Sequence, residues 1–96
     1  MYQKVNKRAK PNVQVYTSVI SAWTNSGQSE AGEHADKLLS RMEMLYEKGN
    51  KDIKPNTITY TAVINAHTKG GERGAAERAE AVLKHMEELY RSGDRR

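Results

Sequence analysis

Titratable side chains are the first candidates for chemistry, but their types and spacing favour neither catalysis nor metal binding. The histidines His34, His67 and His85 lie far apart without a spacing typical of metal ligands, and the chain has no cysteine. The Gly-rich segment 70–74 lacks the preceding strand and the Gly-Lys-Ser/Thr ending of a phosphate loop. The sequence shows no nucleophilic side chain paired with a general base. We therefore predict a binding protein with no catalytic residue, no metal site and no cofactor.

Uncharged polar side chains are the second candidates. Two segments contain no Lys, Arg, Asp or Glu: residues 13–26 and 57–68. Thr17 and Thr61 lie within them, whereas Asn12 and Asn56 each follow a proline and directly precede them. Asparagine is a preferred helix N-cap. Two interpretations stay open: these side chains are caps and helix-surface residues, or they also hydrogen-bond a ligand.

The net charge of +4 is concentrated at the start of the chain. The first ten residues supply four positive charges and no acid: Lys4, Lys7, Arg8 and Lys10. The 12 basic and 12 acidic residues that remain over positions 11–96 cancel. We predict that residues 1–9 form a disordered basic arm, either in contact with phosphate or simply solvated. A neutral body argues against strong non-specific nucleic-acid binding.

The chain contains two copies of an internal repeat. A shift of 44 residues aligns residues 10–52 with 54–96, and 19 of the 43 aligned positions are identical. A period of this size is typical of helical repeat arrays. We therefore divide the chain into a first repeat, residues 10–56, and a second repeat, residues 57–96, after the arm at residues 1–9.

Each repeat has the pattern of two helices separated at a glycine, Gly27 or Gly71. The first helix carries an apolar stripe at i, i+3, i+4 and i+7: Tyr16, Val19, Ile20 and Trp23, matched by Tyr60, Val63, Ile64 and His67. The second helix spans roughly 20 residues and ends at Gly49 or Gly93. We interpret Trp23 as a core residue. The predicted fold is all-α: two antiparallel helical hairpins stacked as a short α-solenoid.

The motif Lys-Pro-Asn, followed by Tyr-Thr-x-Val-Ile-x-Ala and later by Met-Glu-x-Leu-Tyr-x-x-Gly, occurs twice. It resembles the pentatricopeptide repeat over residues 10–96. The resemblance implies helix-turn-helix repeats that bind single-stranded RNA, mostly in mitochondria and plastids. The spacing of 44 residues is longer than the usual repeat, and the extra residues fall in the second helix and in the loop from Gly49 to Lys54.

The resemblance also implies which side chains recognise bases. The residue after the helix-opening Tyr and the last residue of the repeat together read one base. In the first repeat these are Thr17 and Asn56, a pairing that favours adenine in this family. In the second repeat the first of them is Thr61, and its partner falls beyond Arg96. Asn12, which aligns with Asn56, is assigned to base reading by the same match.

Two further roles follow from the resemblance. The residue two before the Tyr packs against base faces, which assigns Ile58 in the second repeat and Gln14, a departure from the usual apolar residue, in the first. A lysine near the end of the first helix contacts phosphate, which assigns Lys69; the first repeat has Asn25 there.

The expected function is therefore sequence-selective binding of single-stranded RNA, one base per repeat, within a longer array in organellar RNA metabolism. Localisation in a mitochondrion or plastid is implied by the resemblance alone. A protein partner is a further option, whereas a membrane or a small-molecule substrate is not expected. The alternative is a tetratricopeptide-like scaffold for protein–protein interaction, because a helical-repeat period alone does not distinguish the two classes.

Overall fold

A computed structural model describes residues 10–71 and 73–93 of the chain. They form four α-helices: α1 (Val13–Asn25), α2 (Ala31–Glu47), α3 (Thr57–Gly70) and α4 (Ala75–Arg91), with a single 3-10 turn at Lys51–Ile53. No strand occurs in this described part. The predicted all-α repeat fold is confirmed, while the predicted basic arm at residues 1–9 lies outside the described residues.

Asparagine caps begin the first helix of each hairpin, as the sequence predicts. The Oδ1 atom of Asn12 accepts from the Val15 backbone N at 3.1 Å, and that of Asn56 accepts from the Thr59 backbone N at 3.0 Å. The cap at α3 is stronger, because the Asn56 backbone N also donates to Thr59 Oγ1 at 3.3 Å and completes a capping box. Gly71 then closes α3 in the left-handed conformation with φ 67°, which a glycine adopts without strain.

The two hairpins pack side by side, and α3 is central because it contacts all three other helices. The apolar stripe of α3 is buried, with Tyr60 and Val63 fully inaccessible. The core between the helices contains Ile20, Ala35, Leu39, Met42, Ile53, Tyr60, Ala62, Val63, Ala66 and Val82. No helix in the described ranges has the length and apolarity to cross a bilayer.

Some of the residues that lengthen the repeat contribute to the packing of the core. Both second helices have 17 residues, somewhat fewer than predicted, and the 3-10 turn follows α2. Ile53, at the end of this turn, is 1% exposed and belongs to the core. The insertion therefore does more than connect the hairpins, because it contributes an apolar side chain to the interface that holds them together.

The interpretation of Trp23 as a core residue was wrong. Trp23 is half-buried, and its indole stacks on the His34 imidazole with ring centroids 3.9 Å apart. Its counterpart His67 is 1% exposed and its Nε2 lies 2.9 Å from Asp36 Oδ1. The difference arises because α2 of the first hairpin covers His67, whereas among the described residues no preceding hairpin covers Trp23.

Candidate functional site

The first helices of the two hairpins, α1 and α3, border a shallow groove. The side chains that line it are mostly small, polar and uncharged: Ser21, Thr24, Asn25, Thr57, Ile58, Thr61, Ala62, Asn65 and Lys69. Lys69 is the one charged residue among these described lining residues. The absence of acidic groups suits an anionic ligand, and the hydroxyl and amide groups can supply directional hydrogen bonds.

The groove is built by two matching stripes with a spacing of four residues. Positions four apart lie on one face of a helix, one above the other. On α1 the stripe contains Thr17, Ser21 and Asn25, and on α3 it contains Thr61, Asn65 and Lys69. Five of these six line the groove, whereas Thr17, like Asn56, is not among its lining residues. The members of the two stripes correspond through the 44-residue shift, so successive hairpins present equivalent polar positions to the same side of the molecule.

Thr17 and Asn56, the two predicted base-reading residues of the first repeat, are joined through a third side chain. Thr17 Oγ1 lies 2.9 Å from Thr59 Oγ1, although the residues are 42 positions apart. Thr59 Oγ1 in turn donates to Asn56 Oδ1 at 3.1 Å. Thr59 is fully buried, whereas Thr17 and Asn56 are half-buried. The helix cap and the neighbouring helix thus share one hydrogen-bonded cluster.

The remaining predicted site residues are distributed unevenly. Ile58, 69% exposed, lies in the groove with Thr61 and Lys69. Gln14 is exposed on α1 and is not among the lining residues of this groove. Asn12 is exposed at the start of α1, where it caps that helix. The structure therefore brings Ile58, Thr61 and Lys69 together, and places Asn12 apart from them.

The arrangement can position a planar, hydrogen-bonding ligand against an apolar side chain. Ile58 offers an apolar face, Thr17 and Asn56 offer hydrogen-bonding atoms, and Lys69 offers a positive charge within reach of the groove. Within the described residues, no group of three or more His, Asp or Glu side chains is placed to hold a metal ion. The chemistry available here is recognition by hydrogen bonds and packing.

Sequence reasoning missed Thr59, Ser21 and Asn65. The spacing of four from Thr17 to Ser21 and from Thr61 to Asn65 was a signal for the last two. For Thr59 the signal was a difference between repeats, because the aligned residue is Val15. A hydroxyl three positions after an asparagine cap can complete a capping box, which a valine cannot.

Comparison with known proteins supports the repeat assignment. The family model for the pentatricopeptide repeat domain matches residues 43–89, from the second half of α2 through α3 to near the end of α4. The match includes Asn56, Ile58, Thr59, Thr61 and Lys69. Curated proteins and solved structures gave no significant match. Residues 43–89 thus match the pentatricopeptide repeat domain, and together with the stacked helical hairpins they support a protein of this family, whose helical repeats generally bind RNA.

Proposed function

We propose that the chain binds single-stranded RNA sequence-selectively as part of a longer array, with one base per repeat and adenine preferred at the first repeat. The observation that carries the proposal is the cluster in which Thr17 and Asn56 meet through Thr59. The two residues come from different hairpins, so a base site can form only where the hairpins stack. Recognition of one base by two side chains is the general form in such repeats.

The surroundings of the cluster support a base between the two hairpins. Ile58 is large, apolar and 69% exposed next to Thr61 in the groove, so its side chain is available to pack against the face of a base. Gln14, exposed on α1, corresponds to it in the first repeat. We propose that these two side chains flank the base and that Lys69 contacts a phosphate of the same strand, a contact that adds affinity without sequence information.

The ends of the stack support a longer array. Leu39 on α2 is 7% exposed, but its counterpart Leu83 on α4 is 45% exposed; likewise Val63 on α3 is buried, whereas Val19 on α1 is 42% exposed. The faces of α2 and α3 that carry Leu39 and Val63 are thus buried between the two hairpins, whereas the equivalent faces of α4 and α1 are exposed at the two ends of the stack. Further hairpins stacked in the same way would bury both faces.

The cellular setting is also a proposal. Pentatricopeptide repeat proteins act mostly in mitochondria and plastids, and we propose a role in RNA metabolism in one of these organelles. Expression of a fluorescently tagged full-length protein, followed by imaging with organelle markers, tests this directly. A purely cytosolic or nuclear signal would contradict it.

Base recognition is tested by inserting residues 10–59, which include both asparagine caps and Thr59, into a pentatricopeptide array of known register and measuring affinity for RNAs that differ only at the facing base. We expect adenine to bind best, by about 1 kcal/mol or more. Equal affinity for all four bases would contradict base reading through Thr17 and Asn56. In that case the protein–protein scaffold becomes the better interpretation, and peptide binding should be measured next.

A further inference from the structure

We propose that Thr59 is a positioning residue that fixes the hydrogen-bond polarity of Thr17 and Asn56, so that the site accepts bases with an amino group and rejects bases with a keto group. This inference rests on the proposed function, because it assumes that Thr17 and Asn56 face a base. It adds a reason for the preference and a residue that does not touch the RNA, since Thr59 is fully buried.

The orientation of the Asn56 amide is fixed first. The backbone N–H of Thr59 lies 3.0 Å from the Asn56 side-chain atom assigned as Oδ1. A flipped amide would direct its NH₂ group at this N–H, and two donors would then face each other. The oxygen therefore points to α3. Among the described residues none accepts a hydrogen bond from the NH₂ group of Asn56, so this group remains available as a donor.

The Thr59 hydroxyl is fixed next. Its oxygen has one hydrogen to donate and two lone pairs. The hydrogen must point to Asn56 Oδ1 at 3.1 Å, since otherwise two acceptor oxygens would face each other. One lone pair accepts from the Asn56 backbone N at 3.3 Å. The second lone pair is left for the contact of 2.9 Å with Thr17 Oγ1.

The direction of the last bond follows from the first two. Because Thr59 has no hydrogen left, the Thr17 hydroxyl must donate to it, and Thr17 Oγ1 then offers only lone pairs to a ligand. The site presents an acceptor, Thr17 Oγ1, and a donor, the Asn56 NH₂ group. Hydrogen bonds in a chain of this kind strengthen one another, because each bond polarises the next.

This polarity matches one class of base. On their Watson–Crick edges, adenine and cytosine place an amino donor beside a ring-nitrogen acceptor, whereas guanine and uracil place a keto acceptor beside an N–H donor. The amino group can donate to Thr17 Oγ1 while Asn56 donates to the ring nitrogen. A keto base would set acceptor against acceptor and donor against donor, which leaves desolvated polar groups unpaired. The structure thus assigns amino-group selection to Thr59.

The test uses the 96-residue chain and NMR titration, with the Asn56 side-chain amide and the Thr17 backbone amide as probes. The ligands are hexanucleotide RNAs paired by ring size: hexaadenylate with hexainosinate, and hexacytidylate with hexauridylate. We expect the amino member of each pair to bind about fivefold more tightly or better. Binding of the keto member with equal affinity would overturn the inference without any variant.

Variants then isolate Thr59. Thr59→Val keeps the shape of the side chain and the backbone N–H that donates to the Asn56 cap, but it frees the Thr17 hydroxyl, so each ratio should fall to within about twofold. Thr59→Ser keeps the hydroxyl and should retain the preference. Thr68→Val is the control, because Thr68 is a threonine of the same helix whose hydroxyl donates to the Asn65 carbonyl and which is not among the residues lining the groove.

The outcomes separate the two proposals. If no RNA shifts the Asn56 and Thr17 signals, the proposed function fails, and the polarity argument fails with it. If wild-type protein prefers the amino bases and Thr59→Val keeps the full preference, RNA binding stands and the role of Thr59 is refuted. If Thr59→Val alone loses the preference, both proposals are supported.

Discussion

At the scale of single residues, recognition depends on neutral hydrogen-bonding groups. Thr17, Asn56 and Thr59 form one cluster, and neither hydroxyl nor amide groups titrate near neutral pH. Specificity is then a matter of which atoms donate and which accept. Changing a donor to an acceptor at the same position should change the base, provided that the helix cap survives.

The double substitution Thr17→Asn with Asn56→Asp provides this change. An aspartate still caps α3, because a carboxylate accepts from the Thr59 N–H as well as an amide does. It presents an acceptor where Asn56 presents a donor, and the new amide at position 17 can donate. In the grafted array we expect the preference to move from adenine to uracil, whose edge has the N–H donor and a keto acceptor.

The matched control is Asn12→Asp, which makes the same change at the other cap, where the Asn12 side chain accepts from the Val15 N. This variant should keep the adenine preference. An unchanged preference in the double variant would contradict the assignment of Thr17 and Asn56.

At the scale of helices, the contact between α2 and α3 depends on a glycine. A Cβ atom added at Gly32 would lie 2.3 Å from His67 Nδ1 and 2.8 Å from its Cε1. The His67 ring is buried and its Nε2 is held by Asp36, so it has little room to move. Gly32→Ala should therefore lower stability by about 1–2 kcal/mol, because overpacking outweighs the gain in helix propensity.

Gly70→Ala is the comparison for that measurement. A Cβ atom there would lie 3.4 Å from the Gln28 carbonyl oxygen, close to an ordinary van der Waals distance, so stability should change little. Urea denaturation followed by circular dichroism measures both variants. A Gly32→Ala protein as stable as Gly70→Ala would show that the helices can separate without cost.

The cap of α1 can be strengthened by copying the cap of α3. Val15 is half exposed and aligned with Thr59. Val15→Thr places a hydroxyl where it can accept from the Asn12 backbone N, as Thr59 Oγ1 accepts from Asn56 at 3.3 Å. We expect a gain of about 0.5–1 kcal/mol, seen as a rise of a few degrees in Tm. Val19→Thr, a similarly exposed position in mid-helix, should give no such gain.

At the scale of the whole molecule, identical residues have different environments. Leu39 lies between the two hairpins and is 7% exposed, while Leu83, its counterpart on α4, is 45% exposed. Leu39→Ala should cost about 2–4 kcal/mol, because it leaves a cavity in the interface. Leu83→Ala should cost less than about 1 kcal/mol in the same urea titration. Equal costs would mean that the hairpins do not stack as described.

The same two leucine variants test whether a further hairpin stacks on α4. If a further hairpin covers α4, Leu83 becomes the equivalent of Leu39. In a protein extended by one more repeat, the cost of Leu83→Ala should rise toward that of Leu39→Ala. A cost that stays small in the extended protein would indicate that the added hairpin docks elsewhere.

The sequence by itself determined what depends on contacts close along the chain. The apolar stripes, Gly71 and the asparagine caps predict where the helices begin and turn, because these signals act over three or four residues. The 44-residue repeat predicts two stacked hairpins. The repeat motif predicts the candidate base- and phosphate-contacting residues Thr17, Asn56, Ile58, Thr61 and Lys69.

Only the tertiary structure decided what depends on residues distant in sequence. The bond between Thr17 and Thr59 spans 42 positions, and no local pattern indicates which threonine meets which. Ile53 is buried although it lies in an insertion, and Trp23 is half-buried although its spacing is that of a core residue. Burial is decided by the neighbouring hairpin and not by the residue itself, so two nearly matching repeats present different surfaces.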